Sequence, residues 1–153
     1  MDFTLFSSAF AAGAGIPQQY TCEGPDISPV LGWTGHHPQA VSFAIIMDDP
    51  DAPFGTWVHW VIWNIPASAH LLPEDAPKTA NLASGAVQGR NDFGKLGYNG
   101  PCPPPGKTHR YFFRLYALDM KLALAAGATR QELEAAMKSH ILGSAEHMGT
   151  FRR

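Results

Sequence analysis

Hydrophobic residues fall into short runs set between glycine and proline clusters, and three of these runs carry the period of an extended chain. Val41 to Met47 alternates, with Val41, Phe43, Ile45 and Met47 on one face and Ser42, Ala44 and Ile46 on the other; the first face leads on to Asp49. Trp57 to Ile65 is apolar on both faces, as expected of a central strand covered on both sides, and strict alternation puts Trp57, His59, Val61 and Trp63 on one side. Arg110 to Leu118 is the third, with Tyr111, Phe113 and Leu115 on the side that His109 shares if the extension begins one residue earlier.

Elsewhere the pattern is weaker. The apolar opening run, Phe3 to Ala14, follows Asp2 instead of a basic segment and is interrupted by Ser7 and Ser8, so it reads as a first strand and not as a secretory signal. Ala67 to Ala80 and Gly89 to Gly106 have neither helical nor alternating periodicity and are expected to be ordered loops; long loops in a small domain tend to be functional or pinned. Thr129 and Glu132 have capping-box spacing, and Leu133, Ala136, Met137 and His140 follow on one helical face, so one helix is expected before Gly143. Ala145 to Phe151 is compatible with a final strand.

Composition narrows the choice of function. The 153 residues, 45% hydrophobic, suffice for one core, and a single domain over 1–153 is expected. With 11 scattered basic against 13 acidic residues there is no basic stripe for nucleic acid. No apolar run approaches the roughly 18 to 20 residues of a membrane span. A soluble, cytoplasmic protein is expected, with Cys22 and Cys102 reduced, although one bridge between them stays open.

Chemistry concentrates in two segments: Asp49-Pro50-Asp51-Ala52-Pro53 before Trp57-Val58-His59-Trp60, and the Gly-Pro-rich stretch 97–106 before His109-Arg110-Tyr111. Stiff turns at strand ends are suited to holding donors around a small anion. Asp49, His59 and His109 could supply imidazole donors and a carboxylate that fixes a tautomer, with the Tyr111 hydroxyl beside them. The alternative is that Asp49 and Asp51 only cap turns and the histidines are satisfied core groups. Three such ligands would also be permissible for zinc, but no histidine pair has the one-turn helical spacing of a metalloprotease, and no cofactor is expected. No serine sits in a nucleophile elbow, so no catalytic residue is assigned. His36, His37, His70, His140 and His147 are expected at the surface or at a helix end, and Trp60, Trp63, Phe112 and Phe113 in the core.

These two segments, with Asp26-Ile27-Ser28-Pro29 through Trp33, Asn91-Asp92-Phe93-Gly94 and Gly149-Thr150-Phe151, resemble the phosphatidylethanolamine-binding protein family, the Raf-kinase-inhibitor-like proteins, in its prokaryotic branch. The resemblance implies a mainly β fold of two packed sheets with few short helices, and a pocket for phosphate-like or carboxylate anions formed by Asp49, Trp57, His59, His109 and Tyr111 with the loop around Gly100 and Cys102. Val58 replaces a second histidine of animal relatives, the stretch from Gly106 to His109 looks one residue shorter, and Cys102 stands near a pocket glycine. The resemblance further implies a cis Ala52–Pro53 bond and places Cys22 and Cys102 near one end of the sandwich. The function so implied is non-catalytic binding of a phosphorylated head group or metabolite, the alternative being inhibition of a kinase or protease partner, with hydrolysis less favoured; a homodimer stays open. With Asp49 facing the ligand, a monoanionic phosphate ester or a zwitterion such as phosphoethanolamine is expected to bind better than fully ionised phosphate.

Overall fold

The computed structural model describes residues 2–153. Two antiparallel sheets face each other. The smaller has the order β1-β2-β5, from Thr4–Phe6, Leu31–Thr34 and Leu71–Leu72; the larger has the order β6-β4-β3-β7-β8, from Val87–Gln88, Trp57–Pro66, Ser42–Asp49, His109–Leu118 and Ile141–Phe151. The central strands are β3, β4 and β7, the three whose periodicity is clearest in the sequence. Between the sheets lie Phe43, Ile45, Met47, Trp60, Ile62, Tyr111, Phe113 and Leu115 with Trp33 and Leu31 opposite. The outer face of the larger sheet carries Ala44, Ile46, Val58, Val61 and Trp63 against Leu133 and Met137 of the single α-helix, Arg130–Met137. β4 is therefore covered on both faces, as its composition requires.

Strict alternation fails within β4. Asp49 pairs with Trp57 and Asp48 with Val58, but Met47 pairs with Trp60, so His59 is the extra residue of a β-bulge. Beyond it the parity reverses: Trp60 and Ile62 point between the sheets while Val61 and Trp63 point outwards, so the expected common side of Trp57, His59, Val61 and Trp63 ends at His59. A second irregularity lies at Phe43/Ile45, where Asn64 takes a left-handed backbone and exchanges hydrogen bonds with Leu122.

Other expectations are corrected at their edges. Of the opening run only Thr4–Phe6 is strand; the chain then turns, inserts Phe10 into the core and lays residues 13–16 along the free edge of β8, where Ile16 N–H donates to the Thr150 carbonyl (2.7 Å) and Thr150 N–H to that of Ala14 (2.9 Å). The helix has its capping box, Thr129 with Glu132, but ends at Met137, so His140 lies beyond it and pairs with Asp119. His147 is buried instead of superficial, because β8 turns it inwards to the Phe10 carbonyl (3.0 Å). Phe112 is only half-buried, flanked by the guanidiniums of Arg110 and Arg114. No helix among the described residues is long and apolar enough to cross a membrane.

The helix is tied to the sheet by charge as well as by burial. Asp48, 1% exposed, accepts from Arg114 Nε (3.0 Å) and Nη2 (3.1 Å) and from Arg130 Nη1 (2.7 Å) at the first helical position. A buried carboxylate is tolerated only with such pairing, and removing one partner strands the rest. Asp48→Ala is expected to cost about 3 kcal/mol and to lower the melting temperature by roughly 6 to 12 °C. Thermal denaturation followed by circular dichroism checks it; an unchanged midpoint would mean that the ion pairs contribute nothing net.

Candidate functional site

The ends of β3, β4 and β7 that carry Asp49, Trp57 and His109 meet at one end of the sandwich, around a pocket of about 290 Å³. Asp49, Trp57, His59, Cys102, His109 and Tyr111 line it, together with Ala52, Pro53, Phe54, Phe93, Pro103 and Pro104. Six of the seven residues singled out from the sequence thus come together.

Gly100 does not line the pocket. Its N–H is donated to Asp26 Oδ1 (2.8 Å), and a Cβ there would collide with the Tyr20 carbonyl oxygen, so this glycine is required by the close approach of two loops behind the wall. The wall is also covalent. Cys22 and Cys102 form a disulfide with Cα atoms 5.4 Å apart, which corrects the expectation of two reduced thiols and removes one support for a cytoplasmic location. Ala52–Pro53 is trans, like every other described peptide bond; trans is the lower-energy form, and the residues around this one are exposed or only half-buried, so packing does not impose the other.

The bulge explains how His59 reaches this site. Where the ladder with β3 is broken and β6 has not yet begun, β4 would expose backbone groups, and the loop 89–99 takes them. Val58 N–H donates to Asp92 Oδ2 (2.7 Å), Asp92 N–H to the Val58 carbonyl (2.9 Å) and Asn99 N–H to the His59 carbonyl (3.2 Å). The same Asn99 offers its own carbonyl to His59 Nδ1 (2.6 Å), which makes Nδ1 the protonated nitrogen and leaves Nε2 with a free lone pair. Burial, at 3% exposure, pushes the His59 pKa down.

His109 is oriented differently. Its Nδ1 meets Asp49 Oδ2 at 2.7 Å, and Asp49 Oδ1 accepts the Asp51 N–H (2.8 Å). Both carboxylate oxygens are thus engaged, so Asp49, which lines the pocket, acts on it through His109 and through its charge. Asp51 locks the Asp-Pro turn to β7: it receives the Arg110 backbone N–H, Nε and Nη2, each at 2.9 Å, and the Arg110 guanidinium lowers its pKa to about 2. Turn capping and an oriented imidazole coexist in one segment.

Tyr111 lies between the histidines, its ring 5.3 Å from His59 edge-on and 6.5 Å from His109 in a stack. The residue is fully buried and its hydroxyl makes no hydrogen bond of good geometry, the Asp49 carboxylate being its one weak neighbour. Burial and then the nearby Asp49 carboxylate raise its pKa, so it remains a donor. Around the mouth stand Phe54, wholly exposed, and Trp57 and Phe93, 38% and 40% exposed, in edge-to-face contact at 5.5 Å. Among the described residues no group of three or more histidine, cysteine or acidic side chains has metal-ligating geometry.

The family model for phosphatidylethanolamine-binding protein matches residues 6–152. The chain belongs to this family. A UPF0098 protein of Methanothermobacter thermautotrophicus is 52% identical over 149 residues, which cover 97% of this chain and 98% of that protein. Among solved structures, a protein described as a putative phosphatidylethanolamine-binding protein homologue from Chlamydia trachomatis superposes with a TM-score of 0.90 at 40% identity, covering 99% of this chain and 97% of the other. E. coli YbcL, described as a member of the mammalian family, gives 0.92 at 34% identity over 100% of this chain and 99% of that one. Membership covers the whole two-sheet fold and the loops that build the pocket.

Phe54, Phe93, Asn99, Asp26 and Asp92 complete the site without having been assigned to it from sequence. Asp92 and Phe93 fall in Asn91-Asp92-Phe93-Gly94, Asp26 in Asp26-Ile27-Ser28-Pro29 and Asn99 in the stretch 97–106, but loop contacts between distant segments leave no periodicity that would assign them a role.

A depressed His59 pKa has a linked effect on stability. Unfolded His59 titrates near 6.5, and the folded group titrates lower, so below about pH 6.5 the unfolded chain binds the proton first. The stabilisation is complete above that pH and is lost as pH falls towards the folded value. Chemical denaturation of wild type and His59→Gln between pH 7.5 and 5 is expected to show a steeper acid loss in the wild type; parallel profiles would contradict it.

Proposed function

We propose that this protein binds a small monoanionic phosphate ester, such as a phosphorylated head group or metabolite, and does not turn it over. The reading rests on the buried Tyr111 hydroxyl, which makes no well-formed hydrogen bond and belongs to a ring packed between two imidazoles whose Nδ1 atoms are already committed. A buried donor left unmade costs about 1 to 3 kcal/mol, which a ligand oxygen would recover.

Proton inventory supports the charge state. Neutral His59 offers a lone pair at Nε2, which suits a ligand P–OH, while Tyr111 and, when it is protonated, His109 Nε2 donate to the remaining phosphate oxygens. A phosphate monoester loses its last ionisable proton near pH 6, so the monoanion fades as pH rises. A carboxylate would use the same donors with one acceptor fewer. The exposed aromatic rim of Phe54, Trp57 and Phe93 supports an ester whose substituent packs on it over the bare ion. Cys102, the one sulfur on the wall, is held in the disulfide and is not available as a nucleophile while the bridge is intact.

Calorimetric titration with phenyl phosphate tests the reading. Affinity is expected to weaken about tenfold or more from pH 6 to pH 8; tighter binding at pH 8 would exclude the mechanism. Tyr111→Phe is expected to lose about 1.5 to 3 kcal/mol, roughly ten- to hundredfold, with little change in the melting temperature, because the hydroxyl makes no well-formed internal hydrogen bond.

The rim makes a separate prediction. Phe54→Ala is expected to weaken phenyl phosphate by about 1 kcal/mol and to leave inorganic phosphate unchanged. Equal losses for both ligands in the same calorimetric assay would show that Phe54 does not select the substituent.

A further inference from the structure

We infer that the Cys22–Cys102 bridge is a thiol–disulfide exchange site whose reduction by a dithiol frees one wall of the pocket and weakens anion binding. The inference rests on the ligand reading above for its affinity arm only.

The two sulfurs have unequal surroundings. Cys22 is exposed in the loop after the 3-10 turn Gln18–Tyr20, whereas Cys102 is half-buried and lines the pocket. An external thiolate therefore meets Cys22 first. Attack on Cys22 Sγ forms a mixed disulfide and expels Cys102 as a thiolate, which takes a proton from solvent; the second sulfur of the dithiol then displaces Cys22. The dithiol is oxidised to a disulfide, and the protein bridge gains two electrons and two protons.

Other contacts decide what moves. Behind the wall the loops stay joined without the bridge: Tyr98 Oη donates to the Tyr20 carbonyl (2.6 Å), Gly100 N–H to Asp26 (2.8 Å) and Cys22 N–H to the Pro101 carbonyl (3.1 Å). These bonds end at Pro101. From Cys102 to Gly106 the hydrogen bonds are those with Arg153, whose Nε donates to the Pro103 carbonyl (2.6 Å) and whose carbonyl accepts from Gly106 N–H (3.0 Å). Prolines 103, 104 and 105 have no N–H to add. Reduction thus leaves the base of the loop fixed and leaves Cys102, Pro103 and Pro104, all on the wall, held only by Arg153 and by the burial of Pro103. If the released segment holds the binding arrangement in about one molecule in ten, the apparent Kd rises about tenfold.

The experiment compares oxidised protein, protein reduced with dithiothreitol and reoxidised protein, with Cys22→Ser as a bridge-free form whose changed residue lies outside the pocket. Amide hydrogen exchange over residues 102–108, where Gly106 N–H is the hydrogen-bonded and so protected amide, is expected to quicken at Gly106 on reduction and in Cys22→Ser while the strands keep their protection, and phenyl phosphate affinity to fall about tenfold and return on reoxidation. Unchanged exchange in 102–108 overturns the inference, and so does loss of protection throughout the strands, which would make the bridge a global staple. Faster loop exchange with unchanged phenyl phosphate affinity also overturns it. Failure of the oxidised protein to bind phenyl phosphate would count against the ligand reading alone, and the exchange result would still decide whether the bridge controls the wall.

Discussion

Opposite Met47 and Asp48, β4 places three residues against two, and the additional one is His59. That offset is the constraint on which the pocket depends. It lets β4 bury Trp60 and Ile62 between the sheets while His59, next in sequence, joins Trp57 at the pocket end of the sandwich. It also frees backbone groups of β4 that the loop 89–99 must satisfy, and the residue that binds the His59 carbonyl, Asn99, is the one that fixes the imidazole. Register, loop placement and tautomer follow from one inserted residue.

The remaining pocket groups are held by the same economy of contacts. Asp49 caps its own turn with one oxygen and orients His109 with the other; Asp51 fastens the turn to β7 through Arg110; the wall beyond Pro101 depends on a disulfide and on Arg153. Charges away from the pocket are placed for structure. Asp48, one residue before Asp49, points to the opposite face and ties the helix to the sheet, so neighbouring carboxylates on one strand serve different layers because side chains alternate.

Much of this was legible in the residues. Periodicity located β3, β4 and β7 to within a residue or two, and the capping box marked the start of the helix, because both signals are local. Alternation misplaced Val61 and Trp63, since a bulge leaves no mark in a run that is apolar on both faces. His147 and Phe10 illustrate a second limit: their burial comes from a segment 137 residues away in sequence folding against β8. The disulfide is of the same kind, joining cysteines 80 positions apart. Gly100 was legible as a special residue but not as one that serves loop packing behind the wall. The two-sheet fold is shared with the family's solved members, whereas ligand choice, in the function proposed above, depends on side chains such as Phe54 at the rim.

In the proposed binding mode two imidazoles, pinned at Nδ1, present Nε2 to an anion beside the Tyr111 hydroxyl. Long-range proton–nitrogen NMR of the histidine rings during titration with phenyl phosphate tests it most directly. A protonated Nδ1 on His59 is expected before any ligand is added, with ligand-dependent shifts at Nε2 of His59 and His109 that saturate together. A His59 that carries its proton on Nε2 in the free protein, or ligand binding that leaves both Nε2 resonances unmoved, would contradict it.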